Sequence, residues 1–201
     1  MIRVLIADDQ DLVRGALAAL LGTETDIEVV AQVGRGDEVV DAVLAHQVDV
    51  ALLDIEMPGA NGIEAAEALV DAGASCRSMI VTTFGRPGYL RKALAAGVSG
   101  FLVKDTPPAQ LAEAVRRVHK GLRVVDPALA EESLFTPDSP LTEREVEVCR
   151  AARGGAEVKT IAAAVHLSPG TVRNHLSSVI GKTGASNRFE AVSVAEQNGW
   201  L

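Results

Sequence analysis

Five short apolar runs, each followed by a stretch with helical spacing, fill the first 120 residues. The runs are "IRVLIAD" (2–8), "IEVVAQV" (27–33), "VDVALLDI" (48–55), "SMIVTTF" (78–84) and "GFLVKD" (100–105). Between and after them lie helical patterns over 11–21, 35–45, 61–72, 88–96 and 108–120. Near-continuous Val, Ile and Leu mark strands covered on both faces, and covering helices are what a βα alternation supplies. The pattern is (βα)₅, an α/β chain that closes as a doubly wound parallel sheet, for which strand order 2-1-3-4-5 is a common solution. Ligands of such sheets gather at the carboxyl ends of the strands.

The alternation stops after residue 121. "RVVDPALAEESLFTPDSP" (123–140) carries Pro127, Pro137 and Pro140 among acidic and small residues and reads as a linker over 122–138, with a short helix near Ala128–Leu134. A second domain over 139–201 opens at "LTEREVEV", where Thr142 caps a helix and Glu145, three residues on, completes a capping box. Turns at "RGG", "HLSPG" and "TGAS" divide it into four short helices, so the C-terminal domain is all-α.

Charge separates the parts. The net charge of -8 divides into -6 for residues 1–122, -3 for 123–138 and +1 for 139–201, which directs any nucleic-acid contact to the last part. No run of about 18 apolar residues is present and "MIRVLIADD" lacks a secretory signal's features, so a cytoplasmic protein without membrane contact is expected. Cys76 and Cys149 lie apart, outside any metal or redox motif, and read as small core residues.

Three carboxylates stand at strand ends: Asp8 and Asp9 after the first strand, Asp54 after the third. Strands 1 and 3 are neighbours in the expected order, so the three converge. Like charges so close call for a cation, and hard oxygen donors with room for water suit Mg²⁺. Thr82 and Lys104 end the fourth and fifth strands. A hydroxyl and an ammonium beside a metal-bound carboxylate are parts for stabilising a phosphoryl group, with Asp54 as the nucleophile that forms an acyl phosphate.

In the second domain "IAAAVHLSPGTVRNHLSSVIGKTG" reads as helix, turn, helix, the second starting at Ser168 as N-cap with Pro169 first. Val172, Leu176, Val179 and Ile180 form its buried stripe, leaving Arg173, Asn174, Ser177 and Lys182 toward solvent. No Asp or Glu occurs from Lys159 through Phe189. That is a helix-turn-helix, whose second helix enters the major groove. Gly181 interrupts the helical pattern at a cost of about 1 kcal/mol against Ala. In the last helix Phe189, Val192 and Ala195 share a stripe, read as core in preference to a dimer contact.

These motifs resemble a known family. "IADDQ", "LLDIEMPGANG", "VTTF" and "SGFLVKD" are similar to the receiver domain of bacterial two-component response regulators over residues 1–121. "PLTEREVEV" and "IAAAVHLSPGTVRNHLSSVIGKTGASNR" resemble the LuxR/FixJ-type DNA-binding domain, which places the chain with the NarL/FixJ class. The resemblance implies phosphorylation of Asp54, Mg²⁺ ligation by Asp9, Asp54 and the backbone carbonyl of Glu56 with Asp8 positioning the ion, and a switch made of Thr82, Lys104 and Phe101. It implies base reading by Arg173, Asn174 and Ser177, and phosphate contacts by Lys159, Thr171, His175, Lys182 and Arg188. It further implies a sensor histidine kinase as donor, a homodimer on phosphorylation, promoter DNA as the target, and no enzymatic activity beyond the chain's own phosphoryl transfer. Two other classes compete. A small aspartyl phosphotransferase would use Glu56, two residues past the nucleophile, as general acid, although Pro58-Gly59 turns the chain at once and leaves no room for a substrate cap. A regulator acting through protein contacts alone would lack any DNA shift.

Overall fold

A computed structural model describes residues 1–83, 87–134 and 139–201 of the chain. Phe84, at the end of the fourth expected strand, and the linker residues 135–138 lie outside the described residues. Two compact units form, one around a sheet and one around the helices at the C-terminal end.

The sheet unit follows the expected alternation: β1 (Ile2–Ala7), α1 (Asp11–Leu21), β2 (Ile27–Val33), α2 (Val39–His46), β3 (Val50–Leu53), α3 (Gly62–Asp71), β4 (Arg77–Thr82), α4 (Pro87–Ala95), β5 (Gly100–Val103) and α5 (Pro108–His119). All strand pairs are parallel. The order is 2-1-3-4-5 with one addition, β6 (Val124–Val125), which extends it to 2-1-3-4-5-6. β6 lies inside the stretch read as linker. It pairs with β5 through Gly100 and Phe101, and the Asp126 N–H donates to the Phe101 carbonyl at 3.0 Å. Asp126 then caps α6 (Pro127–Leu134), its Oδ1 accepting from the Ala128 N–H at 2.9 Å. Two valines are too few for a period to announce a strand, which is why the sequence did not reveal β6.

β1 and β3 are buried along almost their whole length, as central strands covered by helices must be. One core cluster gathers Val4, Ile6, Val50, Leu52, Met79 and Val115 between the sheet and α1 and α5.

The helical unit holds α7 (Glu143–Ala152), α8 (Val158–Ala164), α9 (Pro169–Thr183) and α10 (Arg188–Gln197). Thr142 and Glu145 form the expected capping box, and Ser168 Oγ accepts from the Thr171 N–H at 3.1 Å to start α9. Val148, Cys149, Ile161, Val172, Val179 and Ala195 make its core. α9 runs unbroken through Gly181. The stripe on α10 corrects one expectation: Val192 and Ala195 are core, but Phe189 is 58% exposed, with the Arg188 guanidinium 4.7 Å above its ring. Among the described residues no helix is long and apolar enough to cross a membrane.

Candidate functional site

The register of the sheet builds the acidic pocket. Ala7 pairs with Leu53, so the residues that follow, Asp8 and Asp54, leave β1 and β3 side by side. The Asp54 N–H donates back to the Ala7 carbonyl at 2.8 Å. On the other flank Thr82 pairs with Val103, and the Lys104 N–H donates to the Thr82 carbonyl at 2.8 Å. Lys104 Nζ then reaches across to Asp54 Oδ2 at 2.9 Å and Asp8 Oδ2 at 2.7 Å.

Asp8 is 1% exposed and Asp54 3%, while Asp9 and Glu56 are exposed at the rim. Carboxylate oxygens of Asp8, Asp9 and Asp54 all lie within 4.8 Å of one another. At that spacing two charges repel by about 3 kcal/mol at an effective dielectric of 20. Burial pushes the Asp54 carboxyl above its ordinary value, against the hydrogen bond and charge of Lys104, and the Asp8 charge adds to the rise. Burial works against the Lys104 charge too, yet the hydrogen bonds and charges of Asp8 and Asp54 hold its ammonium above an ordinary lysine.

Hydrogen bonds fix the carboxylates: Asp54 Oδ1 accepts from the Ile55 N–H at 2.8 Å and Asp8 Oδ1 from the Gln10 N–H at 3.0 Å. Asp8 Oδ2 is buried, with the Lys104 ammonium 2.7 Å away and no further donor on it among the described residues. Three clustered carboxylates that share one ammonium keep a surplus of negative charge, which fits a hard divalent cation, so the residues present suit Mg²⁺.

The turn after Asp54 is held from two sides. The Gly36 N–H donates to the Pro58 carbonyl at 3.0 Å, and the Gly62 N–H to the Ile55 carbonyl at 3.1 Å. A Cβ on Gly62 would fall 2.0 Å from the Asp54 carbonyl oxygen, so only glycine lets α3 start this close to Asp54. Thr82 and Phe101 are buried, Phe101 completely. The sequence did not reveal Arg14, whose guanidinium donates to the Asp8 carbonyl at 2.5 Å and pairs with Asp11; its place three residues beyond Asp11 was the available signal.

In the helical unit Arg173, Asn174 and Ser177 are exposed on α9, opposite the buried Val172, Leu176 and Val179. Beside them an open groove of about 710 Å³ runs between α8 and α9, with Lys159, Arg173 and Arg188 around a floor of Val158, Leu176 and Ile180. His175 is half-buried, and the Thr171 hydroxyl lies 2.8 Å from Ser168 Oγ. Arg188 donates to the Ala156 carbonyl at 3.1 Å. Lys182 is exposed as expected, but its Nζ pairs with the buried Glu145, 2.6 Å from Oε2. Both cysteines are free; Cys149 lies in the helical core, whereas Cys76 is half-buried and not the core residue expected, and burial pushes the Cys76 thiol up to about 12 and the Cys149 thiol up to about 11.

A parallel sheet with a buried aspartate–lysine pair at its carboxyl edge, joined to a helix-turn-helix, defines a class, and comparison with known families agrees. Residues 4–116 match the response regulator receiver domain and residues 139–195 the bacterial regulatory proteins of the luxR family, so the chain belongs to the response regulators that carry a LuxR-type DNA-binding domain. It is a transcriptional regulator of the two-component type. Among its relatives, the transcriptional regulatory protein DesR of Bacillus subtilis is 45% identical over 201 residues, covering 100% of both chains. The uncharacterized transcriptional regulatory protein YvfU of the same organism is 44% identical over 201 residues, again covering 100% of each. The crystal structure of the response regulator ChrA, of a heme-sensing two-component system, superimposes with a TM-score of 0.60 at 32% identity, covering 100% of this chain and 98% of that one.

Proposed function

We propose that Asp54 is the phosphoacceptor. A carboxylate oxygen of Asp54 attacks the phosphorus of a phosphohistidine on a sensor kinase, or of a small acyl phosphate. The bond from phosphorus to the donor breaks, and the imidazole or carboxylate leaves with the electron pair. Asp9, Asp54 and the backbone carbonyl of Glu56 would hold Mg²⁺, with Asp8 orienting it; bound there, the ion neutralises phosphoryl oxygens. Lys104 is released from Asp54 and pairs with a phosphoryl oxygen, and Thr82 donates its hydroxyl to another. Phe101, on β5 three residues before Lys104, repacks as Thr82 moves. The observation that carries this reading is the Lys104 ammonium held on the two buried carboxylates, Asp8 and Asp54, with Asp9 at the rim of the same cluster.

The receiver takes up about residues 1–121, completed at its edge by β6, with a linker over 122–138 and the DNA-binding domain over 139–201. Phosphorylation favours a symmetric homodimer that holds two α9 helices over half-sites one helical turn or a multiple apart on double-stranded promoter DNA. Arg173, Asn174 and Ser177 read base edges, Arg on guanine and Asn on adenine each giving about 1–3 kcal/mol of discrimination. Lys159, Thr171, His175 and Arg188 face phosphates. The protein works in the cytoplasm and catalyses nothing beyond transfer to and from its own aspartate.

Mass spectrometry after treatment with acetyl phosphate and Mg²⁺ tests the first step: an acid-labile adduct on Asp54, absent from Asp54→Ala, is expected. An adduct elsewhere, or genome-wide occupancy unchanged in Asp54→Ala, refutes phosphate control.

A further inference from the structure

Among the described residues, Glu145 is the buried carboxylate of the helical unit, 4% exposed. Its Oε2 accepts from the Thr142 N–H at 2.7 Å, as a capping box requires, and also from Lys182 Nζ at 2.6 Å. Its Oε1 accepts from the Ser178 hydroxyl at 2.7 Å. A helix cap on α7 needs one carboxylate oxygen; the other contacts go to α9. Ser178 and Lys182 are four residues apart on α9, so both project from one face toward α7.

The apolar stripe of α9 and these polar contacts do different things. Val172, Leu176 and Val179 keep the helix against the core, but apolar contact is non-directional and tolerates a small roll about the helix axis. Two charge-assisted hydrogen bonds one turn apart are directional and do not. The roll matters because Arg173, Asn174 and Ser177 project from the same rigid helix. A side-chain tip about 6 Å from the axis travels about 1 Å for a 10° roll, beyond the tolerance of about 0.5 Å for a positioned contact.

We infer that Glu145 is a positioning residue for DNA readout: by holding Ser178 and Lys182 it sets the roll of α9, and Lys182 serves this staple instead of a DNA phosphate. The inference rests on the DNA-binding reading above. A buried carboxylate without its partners is strongly unfavourable, so Lys182 does not leave Glu145 for a solvated phosphate.

The test uses the full chain treated with acetyl phosphate and Mg²⁺. Fluorescence anisotropy over a salt series measures binding to a duplex enriched by the wild-type protein from a randomised pool and to a scrambled duplex. Glu145→Gln and Lys182→Met are each expected to lower the preference for the enriched duplex about tenfold, the equivalent of one mismatched base pair. On the scrambled duplex Lys182→Met keeps the wild-type slope of log affinity against log salt, whereas Lys159→Met flattens it by about 0.9, one phosphate contact. The double variant Glu145→Met with Lys182→Met, which replaces the pair by apolar side chains and keeps the fold, also loses about tenfold of the preference. A slope flattened by about 0.9 in Lys182→Met, or an intact preference in the folded double variant, overturns the inference. A wild-type protein that enriches no duplex removes the DNA reading and the inference together.

Discussion

Replacing Lys104 by Met removes the ammonium but keeps most of the volume. It leaves Asp8 and Asp54, 1% and 3% exposed and within 4.8 Å of each other, without the cation that now touches both. Removing one partner of a buried pair costs about 3–5 kcal/mol. Protonation sets a ceiling, since neutralising an ordinary carboxylate at pH 7 costs about 4 kcal/mol and relieves the repulsion. The expected loss is therefore about 3 kcal/mol, or roughly 12 °C in the transition of a unit this size. Calorimetry of the full chain in EDTA measures it. The deficit shrinks as the pH falls, because a proton then replaces the missing charge. Mg²⁺ narrows it as well, raising the variant's transition more than the wild type's, since the emptied pocket is more negative. A variant that melts with the wild type in EDTA, or that gains no more than the wild type from Mg²⁺, refutes the account of the pocket as a charge cluster short of cations.

Two further outcomes follow from the helical unit. The hydrogen bonds of Lys182, Thr142 and Ser178 overcome the burial of Glu145 and hold its carboxyl at about 2, below its ordinary 4.5. A depressed carboxyl contributes stability that is complete above pH 4.5 and lost as the pH falls toward 2, here about 3 kcal/mol. Urea unfolding followed by Trp200 fluorescence should show that loss in the wild type and not in Glu145→Gln; parallel profiles would contradict it. Gly181→Ala should stabilise the same unit by about 1 kcal/mol, because α9 passes through this position and nothing lies within 4 Å of an added Cβ. A lower urea midpoint would show that the helix does not run as described.

What the sequence disclosed and what it hid differ for physical reasons. The acidic pocket was legible because a parallel strand ends where its apolar run ends, so the sequence itself sets Asp8, Asp54, Thr82 and Lys104 along one edge. The start of α9 was legible because Ser168-Pro169 acts locally. The pairing of Lys182 with Glu145 was not, because helical periodicity tells which residues face outward, as Lys182 does, and says nothing about an acid arriving from another helix. Phe189 was misjudged for a related reason: a stripe predicts a face, but the end of a helix can extend past the core that the face covers. The alternation did foretell five strands, and β6 escaped because its pairing is written in β5 as much as in itself.

β6 also decides where this chain can be cut and rejoined. A hybrid regulator spliced just after α5 would strip the sheet of its outermost strand and expose the backbone of Gly100 and Phe101 to any stray extended segment. A donor module that keeps Val124, Val125 and Asp126 brings its own selvedge, and exchanges made beyond that border should stay monodisperse where shorter ones clump.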